Sequence, residues 1–184
     1  MSKSTAEPGL LILVVGPSGA GKDSLIEAAR PRLDDRFVFA RREITRPADA
    51  GGEAHLEIDR QAFEAKVARG GYALWWRAHE LFYGLDAAIL TDIDAGRRVV
   101  ANGSRAALDE ARRRFARLRV VSVTADASVI ARRLARRGRE GAQAVEARLA
   151  RGEAFSVVGD DVVTVANNGA LDDAAEAFAA ALRL

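Results

Sequence analysis

Leu10-Leu11-Ile12-Leu13-Val14-Val15, running directly into Gly16-Pro17-Ser18-Gly19-Ala20-Gly21-Lys22, is the stretch that decides the fold of this chain. The apolar run reads as a buried strand, and the helix-prone run Asp23 to Arg30 leads out of the lysine. Strand, glycine loop and helix in that order are the context of a phosphate-binding P-loop. Glycines let the backbone turn with positive φ and bring its N–H groups close to phosphate oxygens. The following helix aims its N-terminal donors and positive dipole end at the same anion. Lys22 then reaches the β- and γ-phosphates as a point charge. The spacing is complete and both flanks are present, so the expectation is a nucleoside triphosphate site. Its ligands would be Gly16, Pro17, Ser18, Gly19, Ala20, Gly21 and Lys22, with Asp23 and Ser24 at the head of the helix.

One position departs from the pattern. The residue after the lysine is ordinarily Ser or Thr, whose hydroxyl ligates Mg²⁺, and here it is Asp23. Ser24 lies about 100° further around the helix and does not simply replace it. A carboxylate is a hard oxygen ligand, so Asp23 is read as a Mg²⁺ ligand, with helix capping as the alternative.

At 184 residues, 49% apolar and 29% charged, the chain has the make-up of one compact globular domain. A net charge of +2 is not that of a nucleic-acid coat, and no basic tail or recognition motif is present. The absence of cysteine excludes disulfides and thiolate metal sites. No apolar run is long enough to span a membrane, and residues 1–9 are polar, read as a flexible tail without a signal-peptide core. The expectation is a cytoplasmic enzyme with no membrane and no nucleic-acid partner.

Beyond the loop, short apolar runs alternate with helical patterns. Arg36 to Ala40, Arg98 to Ala101, Arg119 to Thr124 and Val162 to Ala166 read as strands. Helices are expected from a cap at Asp59 to about Arg69, then over Leu85 to Ala95, Arg105 to Phe115, Ser128 to Arg137, Ala142 to Arg151 and Leu171 to Leu182. The last would set Leu171, Ala175, Phe178 and Leu182 on one face. Such repetition implies an α/β fold, a parallel sheet covered by helices on both faces. Residues 41–84 differ: strand-like Tyr72 to Ala78, with Trp75 and Trp76, accompanies one helix, so this segment reads as an inserted substrate subdomain. The tryptophans are read as core packing. His55 and His79 are read as polar wall residues rather than metal ligands.

Two arginine clusters complete the picture. Arg41, Arg42 and Arg46 fall within Arg-Arg-Glu-Ile-Thr-Arg-Pro, and Pro47 keeps Arg46 extended. Guanidiniums gathered in this way suit a phosphate, which their planar forks grip bidentately. Tyr83, beside Gly84, offers a hydroxyl donor to the same anion. The second cluster, Arg132, Arg133, Arg136, Arg137 and Arg139, surrounds a helix end bracketed by Gly138 and Gly141, with Arg148 and Arg151 following. Like charges at i and i+4 disfavour a helix unless something negative joins them. Residues 137–151 therefore read as an arginine lid over the transferred phosphoryl group, with Arg137 and Arg148 as its catalytic members.

Together these residues resemble the guanylate-kinase branch of the nucleoside monophosphate kinases, over about Leu10 to Gly169. Gly-Pro-Ser-Gly-Ala-Gly-Lys, Thr45-Arg46-Pro47, Tyr83-Gly84 and Arg133-Leu134 with Arg137-Gly138 occur in that order. Within the branch the chain is most similar to the ribose 1,5-bisphosphate phosphokinases. The marks are Gly21-Lys22-Asp23-Ser24-Leu25, Ile44-Thr45-Arg46-Pro47, Gly51-Gly52-Glu53-Ala54-His55, Asn102-Gly103-Ser104-Arg105 and Arg137-Gly138-Arg139-Glu140. By the same resemblance, the glutamate that reads guanine in guanylate kinases falls near Leu74, the threonine after Tyr-Gly is Leu85, and a second arginine is replaced by Ala48-Asp49. Asn102 stands at a strand end that often carries aspartate; a carboxylate lost there and one gained at Asp23 are read as linked.

The resemblance implies a three-layer P-loop kinase domain over 10–184. It implies transfer of the γ-phosphoryl of ATP, with Mg²⁺, to ribose 1,5-bisphosphate, giving 5-phosphoribosyl 1-diphosphate and ADP in phosphonate breakdown. Arg41, Arg42, Arg46 and Arg105 would hold this acceptor, and Asn167, in Asn167-Asn168-Gly169, would line the adenine pocket or form an ordinary turn. A guanylate kinase is the second reading, disfavoured by Leu74 and Leu85, and a catalytically silent binding module the third, disfavoured by Lys22, Arg137 and Arg148. A homodimer stays open.

Overall fold

The computed structural model describes residues 8–48, 54–136 and 156–184. Strand β1, Leu10–Val15, is buried at all six positions, as an apolar run inside a parallel sheet must be. One sheet runs in the order β2 (Phe37–Ala40), β7 (Arg98–Asn102), β1, β8 (Leu118–Thr124), β9 (Val162–Ala166), and a second in the order β4 (Leu56–Glu57), β3 (Glu43–Ile44), β6 (Leu81–Asp86), β5 (Tyr72–Ala78). The chain divides into two compact units, the described parts of Met1–Leu13 with Asp34–Arg119, and Val14–Leu33 with Val120–Leu184.

The first unit pairs β2, Phe37–Ala40, parallel to β7, Arg98–Asn102. Between them in the chain lie the strands of the second sheet. These are β3, Glu43–Ile44, β4, Leu56–Glu57, β5, Tyr72–Ala78 and β6, Leu81–Asp86. Helix α2, Arg60–Ala68, starts where expected: the Asp59 side chain accepts from the Ala62 N–H at 2.9 Å. β5 and β6 are antiparallel and joined through His79 and Glu80, both at positive φ (50° and 61°), as a two-residue turn of the primed type requires. His79 is therefore an exposed turn residue, not a wall residue. Helices α3, Ile89–Asp94, and α4, Leu108–Arg114, complete the unit, the latter preceded by a 3₁₀ turn over Arg105–Ala107.

The helix expected over Leu85 to Ala95 is corrected at its start. Leu85 and Asp86 belong to β6, where Leu85 faces Leu74 across the ladder, and α3 begins only at Ile89. Both leucines are wholly buried, so pairing in the sheet overrides the local helical pattern.

Helix α2 is fastened to this second sheet by Phe63 and Lys66. Phe63 is wholly buried and stacks on Tyr72 with ring centroids 4.6 Å apart. Lys66 Nζ donates to Glu43 Oε1 at 2.7 Å and to Asp86 Oδ2, while Tyr72 OH donates to the other Glu43 oxygen. Nothing in the spacing of Glu43, Lys66, Tyr72 and Asp86 signals this network, because four elements must come together to make it. Gly84 belongs to the same arrangement: a Cβ there would lie 2.4 Å from the Tyr72 ring, so only glycine admits the tyrosine.

The network makes the unit's stability depend on pH. The hydrogen bond from Lys66, then that from the Ala88 N–H, holds the Asp86 carboxyl below its ordinary 3.8. Burial pulls Lys66 down, but its bonds to Asp86 and Glu43 outweigh this and leave it above 10.5. Burial and the hydrogen bond to Glu43 push Tyr72 up. The Asp86 contribution is therefore complete above pH 3.8 and is lost as pH falls through the lower folded value; that of Lys66 is complete below 10.5 and lost above it. We expect Asp86→Asn to flatten the acid limb of a urea-stability profile against pH. Asp86 is half-exposed, so the loss above pH 5 should be at most about 1 kcal/mol. An acid limb as steep as the parent's would contradict the assignment.

The second unit holds α1, Lys22–Ala29, β8, Leu118–Thr124 (from Val120), α5, Ala127–Arg136, β9, Val162–Ala166, and α6, Leu171–Arg183. β8 and β9 are parallel in the register Val120 with Val162 through Thr124 with Ala166. On α6, Ala175, Phe178 and Leu182 are buried as expected, but Leu171 is exposed. It is the first residue of the helix, and Ala174, Ala179 and Ala181 supply the remaining apolar face. Arg32 ties the turn after α1 to this helix, with Nη2 2.9 Å from Asp172 and Nε 3.6 Å from Glu176. Among the described residues no helix is long and apolar enough to cross a membrane.

Candidate active site

In the second unit β1 ends and the chain turns through Gly16-Pro17-Ser18-Gly19-Ala20-Gly21 into α1. Gly19 and Gly21 adopt φ of 87° and 90°, left-handed values open to glycine at little cost. Gly21 is the N-cap of α1 and provides no side chain to satisfy the first-turn N–H groups. Those donors, with the dipole behind them, are what an anion binds. Lys22 Nζ donates to the carbonyls of Gly16 at 2.8 Å and Pro17 at 3.2 Å, which sets the ammonium against the opening of the loop. Asp23 lies in the first turn of α1 and is partly exposed; Ser24 is exposed. No cluster of three or more metal-ligating side chains occurs among the described residues. Asp23 is the carboxylate that the first turn of α1 offers, a hard oxygen donor of the kind a nucleotide-bound Mg²⁺ takes singly or in pairs.

Asn167, expected at the adenine pocket, is 2% exposed and turned onto the loop: its Nδ2 donates to the Ala20 carbonyl at 2.8 Å. Arg133, which had no assigned role, reaches the same carbonyl at 3.2 Å. A signal for Arg133 existed in the Arg133-Leu134 pair, but its target was invisible without the contact.

In the first unit the structure brings some acceptor candidates together. Trp76 and Tyr83 stack with centroids 5.5 Å apart and planes 5° from parallel. The Arg42 guanidinium lies over both rings, 5.6 and 5.1 Å from their centroids. Trp76 is buried as expected, yet it also forms the platform that holds Arg42, a cation–π contact that sequence reading missed. Arg41 is exposed before β3, and Arg105 is exposed on its 3₁₀ turn.

Arg46 is held at a second point. Thr45 anchors the segment, its N–H on the Phe82 carbonyl at 3.1 Å and its hydroxyl accepting the Phe82 N–H at 2.9 Å. His55, buried, donates from Nε2 to the Arg46 carbonyl at 3.0 Å, leaving Nδ1 to accept from Arg46 Nη2 at 3.4 Å. A single neutral tautomer satisfies both contacts. Arg46 Nε is buried without a hydrogen-bond partner, and Arg46 lines a cavity of about 260 Å³ with Arg60 and Phe82. Three carboxylates also line it, but each is engaged: Glu57 by the Ala48 N–H, Asp59 by the Ala62 N–H and Glu80 by Arg77. Arg137 and Arg148, with the lid over 137–151, lie outside the described residues, as do Asp49 and Gly51-Gly52-Glu53.

A parallel sheet whose buried first strand opens into an uncapped glycine loop and a lysine defines the class: a P-loop kinase fold. Solved structures agree on this architecture. A guanylate kinase from Anaplasma phagocytophilum superposes with a TM-score of 0.66 at 17% identity, over 96% of this chain and 86% of that one. A gluconokinase from Sinorhizobium meliloti gives 0.55 at 22%, over 96% and 92%. No family model matches the chain. Among curated proteins, ribose 1,5-bisphosphate phosphokinase PhnN of Rhizobium etli is 46% identical over 96% of this chain and 91% of its own length. Its namesake in Agrobacterium fabrum is 47% identical over 89% and 91%. A bifunctional ribose 1,5-bisphosphokinase-thymidine phosphorylase of Azorhizobium caulinodans is 49% identical over 95% of this chain, which spans only 25% of that longer protein. The chain belongs to the ribose 1,5-bisphosphate phosphokinase family.

Proposed function

We infer that this protein transfers the γ-phosphoryl group of ATP to the 1-phosphate of ribose 1,5-bisphosphate, forming 5-phosphoribosyl 1-diphosphate and ADP. The observation that carries the reading is identity of 46% to a ribose 1,5-bisphosphate phosphokinase across nearly the whole of both chains. In the reaction an oxygen of the acceptor's 1-phosphate attacks the γ-phosphorus, the bond to the β–γ bridging oxygen breaks, and ADP leaves with that oxygen. The nucleophile is already anionic, so no strong general base is required. Positioning and charge neutralisation supply the rate.

The loop and first turn of α1 would hold the phosphates of ATP, and Lys22 would follow the charge on the transferred group. Asp23 would hold Mg²⁺, whose chemistry is to screen the phosphate charge. On the acceptor side, Arg46 brings a buried, unpartnered N–H and Arg42 a guanidinium fixed on its aromatic platform. Tyr83, Arg41 and Arg105 are further candidates for this role, as Arg137 and Arg148 are for the transferred phosphoryl. The product would supply 5-phosphoribosyl 1-diphosphate in phosphonate breakdown. Incubation with ATP, Mg²⁺ and ribose 1,5-bisphosphate, followed by ³¹P NMR, should reveal a diphosphate on the sugar and ADP in equal amounts. ADP with inorganic phosphate in its place would overturn the reading.

A further inference from the structure

Two side chains from separate elements converge on one peptide of the P-loop. Asn167 Nδ2 donates to the Ala20 carbonyl at 2.8 Å, Arg133 Nη1 donates to the same oxygen at 3.2 Å, and Arg133 Nη2 closes the ring on Asn167 Oδ1 at 3.3 Å. We infer that Arg133 and Asn167 are positioning residues for the donor phosphates, holding the Ala20–Gly21 peptide so that the Gly21 N–H faces the bound anion. This rests on the reading that the loop binds the phosphates of ATP.

In a trans peptide the C=O and N–H of one unit point in opposite directions, and this loop contains no cis bond. Anchoring the Ala20 oxygen on one side therefore aims the Gly21 N–H to the other. The peptide needs an anchor because left-handed glycines stand on either side of Ala20, where rotation of the peptide plane meets least steric resistance. Gly21 is itself part of the fit: a Cβ there would stand 2.5 Å from Asn167 Nδ2.

The anchor is also supported from behind. The Asn167 N–H donates to the Thr124 carbonyl at 2.8 Å, at the end of the β8–β9 ladder. The neighbouring Asn168 Oδ1 accepts the Asp126 N–H at 2.7 Å, at the entry to α5, the helix that carries Arg133. The two asparagines thus fix the loop and the helix to one strand end. With both ends of its amide engaged and 2% of its surface exposed, Asn167 acts on the nucleotide through the loop and not on the base.

Titration calorimetry of the full chain with ADP and with inorganic tripolyphosphate, which has no base, tests the assignment. Asn167→Ala should weaken both ligands by the same factor, about fivefold to tenfold. Arg133→Lys keeps the charge but loses the planar fork whose two nitrogens reach the Ala20 and Asn167 oxygens separately, and should weaken both by about threefold. Arg133 is partly exposed, so this second variant folds even if Asn167→Ala does not. ADP weakened with tripolyphosphate unchanged would place the contact on the base and overturn the inference, as would two unchanged affinities. A parent protein that binds neither ligand would instead overturn the loop reading itself, and the inference with it.

Discussion

Replacing Lys22 by alanine should lower kcat about 10²- to 10³-fold, the usual cost of removing one aligned donor from a developing anionic centre. The lysine is the cation brought by sequence and geometry to the loop's opening, within 3.2 Å of two loop carbonyls. During transfer, charge spreads over the equatorial oxygens of the phosphoryl group, and a compact ammonium follows it without reorganisation. Lys22→Arg should not restore the rate, because the guanidinium fork is larger and its donors are fixed in a plane. The fold should not suffer. Lys22 opens α1, where a positive charge opposes the helix dipole, so Lys22→Ala is expected to melt no lower than the parent. Steady-state turnover with a parallel melting curve checks both parts. A variant within tenfold of the parent in kcat would remove Lys22 from the chemistry.

Phe63→Ala should cost about 3–5 kcal/mol of stability, the largest effect expected from a single core substitution. Phe63 is wholly buried beneath the second sheet, stacked on Tyr72, edge-on to Trp75 at 6.3 Å and 5.5 Å from Phe82. Truncation leaves a cavity against three rings, and Tyr72, the ring stacked on Phe63, cannot move in to fill it without breaking its hydrogen bond to Glu43. Phe63→Leu keeps most of the volume and should lose about half as much. Urea unfolding measures both. A loss below about 1 kcal/mol for the alanine variant would mean that the ring cluster does not hold the insert together.

The fold was legible wherever one local pattern decided an element. The run Leu10 to Val15, the Asp59 cap and the strand Val162 to Ala166 all stand where their residues place them. Legibility failed where distant partners decide. Leu85 and Asp86 carry a helical pattern but join β6, because Leu74 and Lys66 wait on neighbouring elements. The candidate site divides in the same way. The loop, Lys22 and the guanidiniums of Arg42 and Arg46 could be named from motif and charge. Their supports could not: Trp76 under Arg42, His55 on Arg46 and Arg133 on Ala20 are contacts across 34, 9 and 113 positions of sequence. Trp76 looked like ordinary core because burial and platform duty leave the same trace in a sequence.

The acceptor distinguishes a ribose 1,5-bisphosphate phosphokinase from a guanylate kinase. Guanine would need polar partners, yet Leu74 and Leu85, which by resemblance fall near the positions that read the base in guanylate kinases, are wholly buried and pair with each other. A base edge left without partners costs about 1–3 kcal/mol per group. The deciding measurement is kcat/KM for ribose 1,5-bisphosphate against that for GMP, with ATP and Mg²⁺ held saturating and ADP release coupled to a dye. A preference of about 10³-fold or more for the bisphosphate is the predicted result. Equal or better turnover of GMP would contradict the account and make the chain a nucleotide kinase.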